Sequence, residues 1–258
     1  MHRFFEYNNS KIRYKDQGNG KPIVLLHGYL ESLDIWHNFA EKLAGKYRVI
    51  SLDIPGHGSS DVIAETHTMD LMADIVHSLL SHLEINKCLL VGHSMGGYVT
   101  LAFADKYMDR LDGFILFHSS PFPDTDDKKD QRNREKALIR EGKKDLLIET
   151  AVPNLYNTFL MHKNLENINL SKKIARETPD DGILALLEGM KLRPGRLHVL
   201  KNSNVPVLII GGKNDNLIPF EKLNELKSGN GLIQVEALEN SGHMGFLEEE
   251  AASLQIIT

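Results

Sequence analysis

Residues 91–97 read Val91-Gly92-His93-Ser94-Met95-Gly96-Gly97, between the apolar run Cys88-Leu89-Leu90 and the helix-like Tyr98-Val99-Thr100-Leu101-Ala102-Phe103-Ala104. That order predicts a strand, a one-residue apex and a helix. Ser94 at the apex sits on a turn so tight that the residues two before and two after nearly touch, which Gly92 and Gly96 tolerate. Such a turn presents a hydroxyl at the edge of a sheet. A serine hydroxyl alone is a poor nucleophile, so chemistry at Ser94 requires a base, an orienting acid and an oxyanion site elsewhere in the chain.

On both sides of this stretch the pattern is one of strands and helices in alternation. Phe4 to Tyr7 and Lys11 to Asp16 are strand-like runs separated by Asn8-Asn9-Ser10, a hairpin signal for an antiparallel edge. Ile23–Leu26, Val49–Leu52, Cys88–Val91, Phe114–Phe117 and Val207–Ile210 are continuous apolar runs of strand length. Continuous rather than alternating runs indicate strands covered on both faces, hence a parallel sheet between helices. Asp34–Leu43 and Met69–Leu83 carry apolar residues at helical spacing, completing a βαβα order.

About 90 residues separate Phe117 from Val207, far more than one crossover helix needs. The excess is an insertion. Its first part, Asp124 to Asp145, has seven acidic and eight basic side chains and reads as the solvated face of a helix rather than a charged binding site. Its later parts, Leu155, Tyr156, Phe159 and Leu160, then Ile183, Leu184, Leu187 and Met190, are apolar on one side and have something to cover.

The 258 residues fit one large α/β domain with this insertion, and 41% apolar with 25% charged residues argues against long disorder. Thirty Lys and Arg against 35 Asp and Glu, a net charge of -5, favour neither nucleic acid nor an anionic membrane, which leaves a small molecule as partner. The single cysteine, Cys88, excludes an intramolecular disulfide and paired thiols for zinc, and its apolar run marks it as a buried strand residue. The first ten residues have no continuous apolar run of the length of a signal peptide core, and no run approaches a membrane helix, so a cytoplasmic location is expected.

Candidates for the missing groups lie past the ends of strands, at the edge where parallel sheets bind ligands. Asp215, in Gly211-Gly212-Lys213-Asn214-Asp215 after Val207–Ile210, is the candidate orienting acid. His243, on the loop Ser241-Gly242-His243-Met244 after the strand-like run Leu232–Leu238, is the candidate base. Ile23–Leu26 ends in His27-Gly28-Tyr29, where the chain turns beside the nucleophile, so the backbone N–H groups of Tyr29 and Met95 are the expected oxyanion donors.

Together with His27-Gly28, Asp53-Ile54-Pro55-Gly56-His57-Gly58-Ser59 and Gly242-His243-Met244, these motifs resemble the α/β-hydrolase fold superfamily, in particular its small capped esterases and lactonases. The matching motifs run in order from residue 27 to residue 244, and the order Ser94, Asp215, His243 is that of this fold. The resemblance implies an α/β fold with a mostly parallel eight-stranded sheet flanked by helices. It places a helical cap after strand 6, with residues 1–120 and 203–258 as core and 121–202 as cap. It implies a serine hydrolase of small carboxylic esters or thioesters, without metal or organic cofactor, acting as monomer or homodimer. The alternatives on the same triad are lactone opening and carbon–carbon bond hydrolysis, although the carbon–carbon hydrolases often carry Asn where this chain has His93. A further alternative is a ligand-binding receptor with little turnover. Family dehalogenases and epoxide hydrolases have an aspartate at the elbow, where this chain has Ser94. His57 and His93 resemble structural histidines of the family, and His27 ends a buried strand. Phe122, Tyr156, Phe159, Met161 and Met190 are candidates for an apolar acyl pocket, although such residues at helical spacing more often pack a cap on a core, and Tyr29 and Trp36 read either way.

Overall fold

The computed structural model describes residues 2–228 and 231–258. Strands β1 (Arg3–Tyr7), β2 (Ser10–Gln17), β3 (Pro22–Leu26), β4 (Arg48–Leu52), β5 (Cys88–His93), β6 (Leu111–Phe117), β7 (Val207–Gly212) and β8 (Ile233–Leu238) form one sheet in the order β1-β2-β4-β3-β5-β6-β7-β8. From β4 to β8 neighbouring strands are parallel, while β1 and β2 pair antiparallel and β2 joins β4 antiparallel. The hairpin turn falls on Asn8 and Asn9, both at positive φ (49° and 65°), a conformation that asparagine tolerates better than most residues.

The continuous apolar runs are the buried strands. Ile23 to Leu26 are all 0–1% exposed, as expected for a strand covered on both faces. Helices α1 (His37–Leu43), α2 (Met69–His82) and α3 (Met95–Tyr107) follow β3, β4 and β5. The helical pattern expected over Asp34–Leu43 is split: Ser32 caps a short 3-10 turn, Leu33–Trp36, and the α-helix begins only at His37. Thr68 caps α2 through its hydroxyl, which accepts the Leu71 N–H.

Between β6 and β7 the chain is helical: α4 (Asp126–Arg140), α5 (Lys144–Ala151), α6 (Leu165–Glu177), α7 (Asp180–Leu192) and α8 (Leu197–Lys201), with two 3-10 segments between α5 and α6. Helix α4 packs on α7 and on α5, and α5 on α6. The chain ends in α9 (Phe220–Asn224), β8, α10 (Gly245–Glu248) and α11 (Glu250–Ile257). No helix among the described residues is long and apolar enough to cross a membrane. Cys88 is buried in β5, and burial pushes its thiol pKa up to about 12, which leaves it unreactive.

Candidate active site

Ser94 stands between β5 and α3 with φ 50° and ψ −114°, a strained conformation for a residue with a Cβ. The strain persists because its surroundings leave no room to relax. A Cβ on Gly92 would lie 2.3 Å from the Gly96 carbonyl oxygen, and one on Gly96 would lie 2.4 Å from that of Leu26. The Ser94 N–H donates to the Phe117 carbonyl (2.9 Å), and Ser119 Oγ donates to the Ser94 carbonyl (2.7 Å), so β6 holds the turn from one side.

The side chains named from the sequence meet here. Ser94 Oγ lies 2.8 Å from His243 Nε2, and His243 Nδ1 lies 2.7 Å from Asp215 Oδ2. Asp215 Oδ1 accepts the N–H groups of Leu217 (2.8 Å) and Ile218 (3.0 Å), which fixes the carboxylate on its loop. Burial opposes ionisation of Asp215, but the facing His243 and hydrogen bonds from His118 and His243 hold its carboxyl well below the ordinary range. With Nδ1–H pinned to the carboxylate, the His243 Nε2 lone pair is left facing the Ser94 hydroxyl.

The surrounding support includes residues that the sequence reading left aside. His118, next after β6, lies 3.2 Å through Nδ1 from the same Asp215 oxygen, and its Nε2 accepts the Gly245 N–H at 3.2 Å. Burial pushes its pKa down to about 4, so the ring is neutral at neutral pH. Its place at the carboxyl end of a central strand was the available signal. His118, Asp215 and His243 are also the grouping with metal-ligand spacing, their ligand atoms lying within 4.8 Å of one another. Those atoms are occupied with each other.

Glu31 and His93 form a second buried pair beneath the histidine. Glu31 Oε2 accepts the Gly28 N–H (2.6 Å) and faces His93 Nδ1 (3.1 Å), and His93 Nε2 reaches the His243 carbonyl (2.9 Å). Burial would neutralise the His93 ring, but Glu31 beside it raises the pKa above its ordinary value, and both ring nitrogens face acceptor oxygens. His93 thus has a structural role, as its resemblance implied. His27 also does: its Nε2 accepts the Ile54 N–H at 2.9 Å and ties the end of β3 to the end of β4. Asp53 is a buried partner of Arg13 (2.5 Å) and accepts the N–H groups of Leu33 and Ser59.

The loop that carries His243 is pinned by the inserted helices. The His243 N–H donates to the Leu155 carbonyl (2.6 Å), and the Asn157 side chain donates to the Asn240 carbonyl (2.7 Å). Glu248 accepts the N–H groups of Asn157, Gly242 and Met244, while burial pushes its pKa up to about 7 against those donors. Nothing in its sequence context marks Glu248.

Ser94 and His243 open into a cavity of about 190 Å³ that is lined by core and inserted residues alike. Tyr29 and Met190 line it. Met95 is the first residue of α3, where backbone N–H groups have no partner within the helix, and Tyr29 follows the Gly28 turn. Phe122, Tyr156, Phe159 and Met161 lie elsewhere. Phe122 is 40% exposed beside a separate small pocket, Phe159 is 80% exposed, and Tyr156 is fully buried with its hydroxyl 2.7 Å from Ser171 Oγ. Met161 packs part-buried against the core. Apolar spacing does not say what covers a side chain: Tyr156 is buried in the core, while Phe122 and Phe159 face outward.

The charged stretch departs from expectation in the opposite direction. Lys128, Gln131, Arg132 and Glu135 of α4 line the cavity, so this face of the helix is not simply solvated. Arg132 is 5% exposed and paired with Asp124. Positions 128, 131 (or 132) and 135 share one helix face, but composition alone does not say which face turns inward.

Comparison with known proteins agrees with this architecture. Residues 21–250 match the alpha/beta hydrolase fold family, and the chain belongs to that family. It is 30% identical over 246 residues to the 2-hydroxy-6-oxononadienedioate/2-hydroxy-6-oxononatrienedioate hydrolase 1 of Pseudomonas putida, covering 90% of this chain and 85% of that protein. A thermophilic esterase from Thermogutta terrifontis, solved with malate bound, superimposes with a TM-score of 0.94 at 30% identity, over 100% of this chain and 96% of that one. The enol-lactonase of Burkholderia xenovorans LB400 shares the fold with a TM-score of 0.91 at 20% identity, over 99% and 98% of the two chains.

Proposed function

We propose that this alpha/beta hydrolase cleaves a small carboxylic ester or thioester through an acyl-enzyme intermediate. The observation that carries the reading is the unbroken hydrogen-bonded chain Ser94–His243–Asp215 opening into a lined cavity. His243 takes the Ser94 proton as Oγ attacks the acyl carbon, and the backbone N–H groups of Tyr29 and Met95 receive the charge that develops on the carbonyl oxygen. The tetrahedral intermediate collapses, and the alkoxide or thiolate leaves with the proton held by His243. Water activated by the same ring then releases the acid and restores Ser94. Asp215 keeps the imidazole in its working tautomer. Residues 121–202 serve as the cap over a core of residues 1–120 and 203–258. Small-molecule esters are the substrates.

A second reading, carbon–carbon bond hydrolysis, draws support from curated relatives named as 2-hydroxy-6-oxononadienedioate hydrolases. p-Nitrophenyl esters from acetate to decanoate, run beside vinylogous diketones and lactones, separate the two. Turnover of esters that depends on chain length and vanishes in Ser94→Ala is the expected result. Normal ester turnover by Ser94→Ala would sink the assignment, and turnover of the diketones alone would replace it with the second reading.

A further inference from the structure

The inserted segment Leu155-Tyr156-Asn157 lies against the loop that carries the catalytic base, at a distance only a glycine permits. A Cβ on Gly242 would meet nothing but the backbone of that segment, 2.6 Å from the Asn157 nitrogen and 2.9 Å from the Leu155 carbonyl oxygen. Across this contact the His243 N–H donates to the same Leu155 oxygen at 2.6 Å. Leu155 also lines the Ser94 cavity. One short stretch of chain thus holds the base and walls the space beside the nucleophile.

A single carboxylate joins the two backbones. Glu248 Oε1 accepts the Asn157 N–H (2.7 Å), and Oε2 accepts those of Gly242 (2.8 Å) and Met244 (3.1 Å), the residues on either side of His243. Donors converging on both oxygens require a carboxylate, because a glutamine has one acceptor oxygen and its NH2 group would face a donor. Glu248 ends the short helix α10, which begins directly after the loop, so its side chain folds back over the helix start. Tyr156 anchors the other side, fully buried with its hydroxyl against Ser171 Oγ of α6. A carboxylate is costly to bury, and the three hydrogen bonds that offset the cost all fall on this junction.

We propose that Glu248 is a positioning residue for the reaction proposed above, on which the inference rests: it joins the cavity wall at Leu155 to the backbone of His243, so that wall and base move as one unit. The inserted segment 155–157 is then part of the support of the catalytic base, not a cover that lifts away from it. Glu248 touches no reacting atom and acts through the His243 loop alone.

The test compares wild type with Glu248→Gln in two readouts. The kcat for p-nitrophenyl acetate, taken per active site as counted by fluorophosphonate titration, is expected to fall about tenfold with KM within about twofold, since one lost hydrogen bond carries about that factor. Counting active sites removes the loss by unfolding that a merely structural role would cause. The second readout, amide hydrogen exchange resolved by NMR, needs no turnover. The His243 N–H bonds Leu155 and not Glu248, yet its exchange should rise about tenfold or more in Glu248→Gln, together with that of Asn157 and Gly242. A merely local contact would speed only the amides that Glu248 itself accepts. An unchanged His243 amide, or an unchanged kcat per active site, overturns the proposal. Acceleration at His243 in a protein that cleaves no ester upholds the junction, and the hydrolase reading alone falls. If the variant does not fold, the wild type decides: the amides of Asn157, Gly242, His243 and Met244 are expected to open with one common free energy, and independent opening overturns the proposal.

Discussion

The core loops and the inserted helices contribute to one cavity in different ways. On the core side each functional group is fixed by its own backbone: Ser94 by a strained turn wedged between glycines, Asp215 by two N–H groups of its loop, and His243 by a loop clamped at both flanks. On the inserted side, side chains reach the cavity because of how whole helices dock. Lys128 and Glu135 face it, while Phe122 and Phe159 do not. Local sequence therefore dictates the reacting groups, and tertiary packing dictates what the cavity can hold.

That contrast predicts severe effects in the core loops and graded ones in the inserted helices. Asp215→Asn should cut turnover by about four orders of magnitude while the fold survives, because the imidazole loses the partner that sets its tautomer. Steady-state kinetics alongside circular dichroism measures this, and a loss below about tenfold would break the core half of the comparison. Gly96→Ala should destabilise the protein by about 3 kcal/mol or more, seen as a fall in Tm of about 10 °C or failure to fold. Its new Cβ would sit 2.4 Å from the Leu26 carbonyl oxygen, where nothing flexible can yield.

Glu31→Gln should lower kcat by about tenfold with little change in KM, since it weakens the hold of His93 on the His243 carbonyl and touches no reacting atom. An equal rise in KM would place Glu31 in substrate binding instead. A smaller effect belongs to pH. His118 stays neutral in the folded state down to about 4, whereas in the unfolded chain it protonates near 6.5. Between those values the unfolded state binds more protons, so the stability that His118 contributes is full above about 6.5 and is lost as pH falls toward 4. His118→Asn should reduce the slope of Tm against pH in that window without abolishing it, because His67 is held at about 4 by the same burial. The smallest effect is expected at Phe159→Ala: at 80% exposure the ring covers nothing, and stability should stay within about 0.5 kcal/mol. A large loss of activity there would return Phe159 to the substrate pocket.

What could be read from the sequence follows the same division. Most of the parallel strands were visible as apolar runs, and Ser94, Asp215 and His243 were visible because each follows a strand-like run at the edge where parallel sheets bind ligands. Glu31 and Glu248 were not, since their partners are backbone N–H groups brought close only by folding. The charged face of α4 was misread for a related reason. Charge in a sequence usually means solvent, but the helix docks so that Arg132 is buried against Asp124 and Lys128 points into the cavity.

The most direct test of the central claim is covalent labelling by a fluorophosphonate, followed by mass spectrometry of the intact protein and of its peptides. One adduct per chain, on Ser94, absent in Ser94→Ala and slowed by about three orders of magnitude or more in His243→Ala, is the predicted result. Undiminished labelling in Ser94→Ala, or an adduct on another residue, would contradict it.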